Sequence, residues 1–175
     1  LSVPLTWGGT RRVALEADRP FKTGPLTRIL GSVSLWQREN PGFVLEPEDD
    51  DDSTTERRVE LRARAERNLA QLLTLGVETT RATVDFGPLP STDQWTIGAD
   101  AALDTRGNPA FPANAVYLGA GWNALNVDGF AERINRYTLD ARGYARPIGQ
   151  PVLAGRVQYF SADADLPLHE RLLVG

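Results

Sequence analysis

Few side chains in this 175-residue chain are equipped for chemistry. There is no cysteine, which removes thiolate nucleophiles, Cys-based zinc sites and iron–sulfur clusters. The single histidine, His169, removes every site that needs two histidine ligands and every Ser/His/Asp arrangement that does not use it. In Leu166-Pro167-Leu168-His169-Glu170-Arg171 it reads as a surface or interface residue in preference to a catalytic base. No nucleophile elbow, HExxH, Walker A or GxGxxG pattern occurs, and Gly119-Ala120-Gly121-Trp122 reads as a surface turn carrying an aromatic. Carboxylates remain. Asp100, Asp104, Asp128, Glu132 and Asp140 would supply the acid–base pair of glycoside cleavage if two of them converged, but sequence spacing brings no two together. The expectation is a chain without catalytic residues or cofactor, and not an enzyme.

The metal candidates are Asp49, Asp50, Asp51 and Asp52, since calcium takes several carboxylate oxygens. They lack the alternating spacing and internal glycine of an EF-hand, so residues 46–53 read first as a solvated acidic loop whose charge suits the start of a following helix. Trp36 and Trp95 lie in strand-like patterns and are expected in the core. Trp7 and Trp122 stand beside glycines and are expected as contact residues for a protein or glycan partner. Residues 1–9 and 161–175 read as extended arms. The expected interface set is Trp7, Trp122, Leu166, Leu168, Leu172 and Leu173.

These residues sit on a chain with the composition of one ordinary globular domain, 41% hydrophobic and 24% charged, spanning 1–175. The net charge of −4 argues against coating nucleic acid, and no direct sequence-specific nucleic-acid binding is expected. No apolar run approaches the roughly 20 residues of a membrane-spanning helix, so no transmembrane segment is expected. Turn formers separate short strand-like stretches: Arg12 to Glu16, Ile29 to Trp36, Gly42 to Leu45, Val77 to Phe86, Gln94 to Leu103, Val116 to Leu118 and Val152 to Phe160. Val33 and Leu35 point one way and Ser32 and Ser34 the other, the mark of a half-buried strand. Ile134 to Leu139 and Tyr144 to Arg146 flank Asp140-Ala141-Arg142-Gly143, read as a hairpin turn. Between the two halves, Ser53-Thr54-Thr55-Glu56 has capping-box spacing. Leu61, Ala65, Leu69, Leu72 and Leu73 recur at helical steps, and Gly76 supplies the stop. The fold expected is mainly antiparallel β, a barrel or sandwich, with one main amphipathic α-helix near residues 54–75.

Arg58 to Leu73, together with Ala82-Thr83-Val84-Asp85-Phe86, Asp93-Gln94-Trp95-Thr96-Ile97-Gly98 and Ile134 to Val152, resembles the far ends of phage tail hub and baseplate proteins. In that family an alanine- and arginine-rich helix precedes a small barrel whose last hairpin carries a basic strand, an Asp-x-x-Gly turn and a glycine-containing return. The counterparts here are Arg133 to Tyr137, Asp140 to Gly143 and Ile148 to Pro151. The likeness covers residues 58 to 155; the loop from Thr105 to Ala115 and the first third have no counterpart. It implies a non-enzymatic structural subunit of a virus or phage particle, a tail, baseplate or capsid component located in the virion. Its partners would be protein subunits of the same homo- or hetero-oligomeric assembly. The alternative readings are a carbohydrate-binding or pilus-type extracellular β domain and, third, a carboxylate-dependent hydrolase.

Overall fold

The computed structural model describes residues 1–8, 10–40, 54–70, 72–108, 112–130, 132–148 and 151–171. Runs in which apolar and polar residues alternate form nine strands: β1 (Leu5–Thr6), β2 (Thr10–Pro20), β3 (Arg28–Asn40), β4 (Thr54–Leu69), β5 (Leu73–Phe86), β6 (Thr92–Asp104), β7 (Ala115–Val127), β8 (Ile134–Ala145) and β9 (Leu153–Ala162). They make one antiparallel sheet in strict sequence order, each strand bonded to the strands before and after it. The described tail ends in a single 3₁₀ turn at Leu168–Glu170.

The helix expected over 54–75 is not there. Residues 54–69 form β4, and a short turn leads into β5 at Leu73. Arginine, glutamate, alanine and leucine favour helices, yet this segment also carries a two-residue period. Val59, Leu61, Ala63 and Ala65 share one face; Arg58, Glu60, Arg62, Arg64 and Glu66 share the other. Pairing along the whole length of β3 and β5 satisfies the backbone that a helix would have satisfied internally. Glu56, expected to close a capping box, is instead fully buried on the polar face. Gly76, expected as a stop, lies within β5 opposite Glu66 and Asp100.

Two further turns are also strands. Gly119 to Trp122 runs through the middle of β7, and Asp140 to Gly143 continues β8 without a break. The other strand expectations coincide with observed strands, Arg146 and Val152 each lying one residue outside β8 and β9; Gly42 to Leu45 lies outside the described residues, as does the acidic stretch with Asp49, Asp50, Asp51 and Asp52.

On most strands the apolar face is the more exposed of the two. Val33 and Leu35 are about half exposed, at 49% and 51%, whereas Ser34 between them is 2% exposed. From β2 to β8 charged and hydroxyl side chains lie mostly on the more covered face and Val, Leu, Ile and Trp mostly on the more exposed one, with Ala14, Ala82, Val84 and Phe86 as buried apolar exceptions; β9 is largely exposed on both faces. The only described apolar cluster of any size on the covered face sits at one end of the sheet. There Leu125, Val127 and Ile134 pack with Ala162 and Leu166. Ala82, Val84 and Phe86 are also buried. Leu166 arrives there because the chain after β9 folds back across the covered face, tied by Asp163 to the backbone and side chain of Asn135.

Candidate functional site

The covered face is a network of arginines and carboxylates. At the end nearest the tail, Glu170 is its centre: Oε1 accepts from Arg58 Nη2 at 2.9 Å and from Gln94 Nε2 at 2.8 Å, and Oε2 accepts from Arg136 Nη1 at 2.5 Å. Arg58 also donates to Glu56 at 3.1 Å, and Glu56 accepts from Arg38 at 2.9 Å. The guanidiniums of Arg58 and Arg38 stand 4.9 and 5.6 Å from the Trp36 ring centre, a placement that spreads their charge over its π face. The Oε1 of Gln94 lies 3.0 Å from His169 Nε2, and the His169 ring packs against Phe86 with centroids 6.2 Å apart. Burial opposes ionisation of Glu170, but Arg58 and Arg136, with the Gln94 hydrogen bond, outweigh it and hold its pKa below the ordinary carboxylate value. His169 is lowered chiefly by burial, with Arg58 adding to the effect against the pull of Glu170 and Glu56.

Two further clusters continue the network. In the middle, Arg64 holds Asp100 through both terminal nitrogens, at 2.5 and 2.9 Å, and Glu66 through Nε at 2.7 Å; Arg62 pairs with Glu78. At the far end, Arg142 and Arg156 converge on Asp140 at 2.6 and 2.7 Å, and Arg106 grips Asp104 at 2.8 Å. The guanidiniums of Arg106 and Arg142 each lie 4.8 Å from the Tyr117 ring. A groove of about 400 Å³ lies on this face, lined by residues of β4 to β8 and by Glu170.

The other face carries a continuous apolar belt, and its geometry is informative. Ladder partners followed from Leu15, the middle of the apolar stretch of β2, run through Val33 and Leu61 to Arg81, Trp95 and Asn126, leaving the belt at its polar rim. Followed back from Leu139, the middle of the stretch on β8, they run through Ala120, Ala101 and Leu75 to Arg67, leaving it at the opposite rim. On β4 the two rows stand at positions 61 and 67, six residues apart, so the belt climbs six residues while crossing six strand spacings. With about 3.3 Å per residue and about 4.8 Å per strand, the strands incline by about 35° to the normal of the belt. On β4 the apolar stretch from Val59 to Ala65 spans about 16 Å after the inclination is applied, and the arginines that bound it, Arg57 and Arg67, stand about 27 Å apart. On β5 the belt ends where Thr79 gives way to the 75%-exposed Arg81, and it is shortest on β2, where only Val13, Leu15 and Ala17 stand between Arg11 and Arg19.

The residues singled out in the sequence fall as follows. Asp100, Asp104 and Asp140 all lie on the covered face, each bound by arginine, while Asp128 and Glu132 belong to the connection between β7 and β8. Trp95, expected in the core, is on the belt and 47% exposed, with Nε1 donating to Thr79 Oγ1 at 2.8 Å. Trp36 lies on the polar face beneath its two arginines. Trp122 is a belt residue beside Tyr137, and Trp7 is 86% exposed next to Arg11. Leu166 is covered by its own chain, Leu168 is half-buried in the 3₁₀ turn, and Leu172 and Leu173 lie outside the described residues. Glu170, which the sequence reading passed over, is the residue that gathers β4, β6 and β8; its signal was an acid following the one histidine after an otherwise apolar Leu-Pro-Leu. Among the described residues no group of three His, Asp or Glu side chains is placed to hold a metal ion. No family model matches the chain, and no curated protein or solved structure matches it.

Proposed function

We propose that this chain forms a sector of the wall of a membrane β-barrel, its belt facing lipid and its arginine–carboxylate network lining the lumen. The observation that carries this reading is the inclined apolar belt. Barrel strands in membranes tilt by roughly 35–45° and present an apolar band about 25 Å tall that is flanked by polar and aromatic residues, with polar side chains inside. The inclination of about 35° meets the first requirement, and on β4 the flanking Arg57 and Arg67 stand about 27 Å apart around apolar side chains that span about 16 Å, room for most of such a band. The described residues contain no helix long and apolar enough to cross a membrane. That criterion does not address strands, which cross in about 9–11 residues with alternate positions polar. The subunit-of-a-particle reading accounts for the β-rich fold but gives no reason for a dry belt set obliquely to the ladders. A sugar-binding face would surround its aromatics with polar partners; Trp122 and Tyr137 pair with each other and with Ala99 on the ladders, with Asn135 and Ser161 as their polar neighbours at one edge.

The test is refolding of the full-length protein from urea into phosphatidylcholine vesicles. The expected result is a β-rich spectrum, belt strands protected from added protease, and gel mobility that changes on boiling. A chain that stays folded and monodisperse in buffer without detergent, and ignores the vesicles, overturns the reading.

A further inference from the structure

At the end of the belt that carries β1, two neighbouring rows of outward side chains differ sharply in character. Leu5, Val13, Leu35 and Val59 are successive ladder partners and form an apolar row. Two residues nearer the strand ends, Arg11, Gln37 and Arg57 are successive partners and form a polar one, with Trp7 beside Arg11 at 5.2 Å from its guanidinium. The two rows line a groove of about 560 Å³.

The charges set this groove apart from the covered face; on the open face Arg19 and Arg67 likewise make no ion pair with a described residue, Arg19 lying 5.5 Å from the Phe21 ring and Arg67 donating to the Gly24 carbonyl. Most arginines of the covered face end on a carboxylate. Arg11 and Arg57 make no ion pair with any described residue, and Asp85, the ladder partner of Arg57, does not close on it. Two unpaired guanidiniums thus stand at the edge of an exposed apolar strip, beside an indole. That is the order of chemistry met along a lipid from phosphate through the ester region to the acyl chain, and tryptophan favours the middle of it. Guanidinium binds phosphate through paired hydrogen bonds, and cationic residues near an anionic bilayer each contribute about 1 kcal/mol.

We propose that this groove is a binding site for an anionic glycerophospholipid, its phosphate held between Arg11 and Arg57, Trp7 against the ester region and an acyl chain along Val13, Leu35 and Val59. The site rests on the reading of the belt as lipid-facing. A second copy of the chain laid on the same strip is the competing occupant.

The experiment uses the full-length chain in phosphatidylcholine nanodiscs doped with phosphatidylglycerol, with lipid retention read by native mass spectrometry and contact read by quenching of tryptophan with brominated phosphatidylglycerol. Phosphatidylglycerol is expected to be retained over phosphatidylcholine by about 30-fold, the product of two basic contacts. The double variant Arg11→Gln, Arg57→Gln should lose that preference while inserting normally, and Arg11→Lys, Arg57→Lys should keep most of it. The control double variant Arg19→Gln, Arg81→Gln should leave it unchanged. Normal insertion with no phosphatidylglycerol preference, an equal loss in the control, or a dimer that masks the groove overturns the site and leaves the membrane reading standing. Failure to insert into either lipid overturns both.

Discussion

Leu139→Arg separates a lipid-facing belt from a merely exposed one. Leu139 is 53% exposed, lies at the middle of the belt, and has Ala120 and Tyr159 as its ladder partners. If water bathes this face, the long arginine stem replaces the leucine at the surface and the charge stays hydrated. The change in stability then stays within about 0.5 kcal/mol. If hydrocarbon bathes it, a guanidinium at the midplane of a barrel wall costs about 2–4 kcal/mol, which lowers the folding equilibrium constant by about 30- to 900-fold. Depth should matter as well. Thr83→Arg also points outward, but on a row with Asp93, beyond the rim, where the same substitution costs about 0–1 kcal/mol. The assay is reversible urea-dependent folding into phospholipid vesicles, followed by tryptophan fluorescence. Equal effects of the two substitutions, or a Leu139→Arg effect below about 0.5 kcal/mol, would refute the assignment of the belt.

Glu170→Ala leaves Arg58 and Arg136 facing each other across an empty position; removing one member of such a covered cluster costs about 3–5 kcal/mol, expected as faster hydrogen exchange over residues 163–171 while β4 and β5 remain protected. Docking of the tail should weaken on acidification in two steps. His169 has a folded pKa below its ordinary 6.5, so the stability it lends is complete above pH 6.5 and declines below it; Glu170, lowered from 4.5, lends stability that is complete above pH 4.5 and is lost as pH falls through its folded value. Proteolysis of the tail measured from pH 8 to 3 checks both, and His169→Gln should abolish the upper step alone. Gly98→Ala should destabilise by about 1–3 kcal/mol, since its new methyl would lie 2.9 Å from the Trp122 carbonyl oxygen. Gly76→Ala meets only the movable ends of Arg64 and Asp100 and should cost less, as compared by urea midpoints.

Much of the β architecture was legible because valine, threonine and aromatic residues punctuated by turns leave few alternatives, as in Val77 to Phe86 and Gln94 to Leu103. The segment 54–75 was not, because Leu61 and Ala65 satisfy a four-residue and a two-residue period alike, and the capping-box spacing of Ser53 to Glu56 favours a helix. Alternation also says nothing about which side meets water. The Val33/Ser34 pattern is the same whether serine or valine is covered, and the burial of Ser34 beside a half-exposed Val33 is a property of the folded sheet alone. Gly119 and Gly121 read as turn residues, yet they serve as low points on the covered face: a side chain there would run into the Tyr117 hydroxyl at 2.9 Å and the Thr138 hydroxyl at 2.7 Å. The charged network was the least legible part, since it depends on register. Arg58, Gln94 and Arg136 are far apart along the chain, and only the ladders bring them to one acid.

Because each strand bonds to its sequence neighbours, this sheet can grow like a zipper, hairpin upon hairpin, with no distant segment required at any step. The exception is Glu170, whose bond to Arg58 joins residues 112 positions apart. Its three donors, Arg58, Gln94 and Arg136, come from β4, β6 and β8, so they stand at the right spacing only after the intervening strands have paired. Capture of Glu170 would then be a late event in assembly, and it marks whether everything before it went into place.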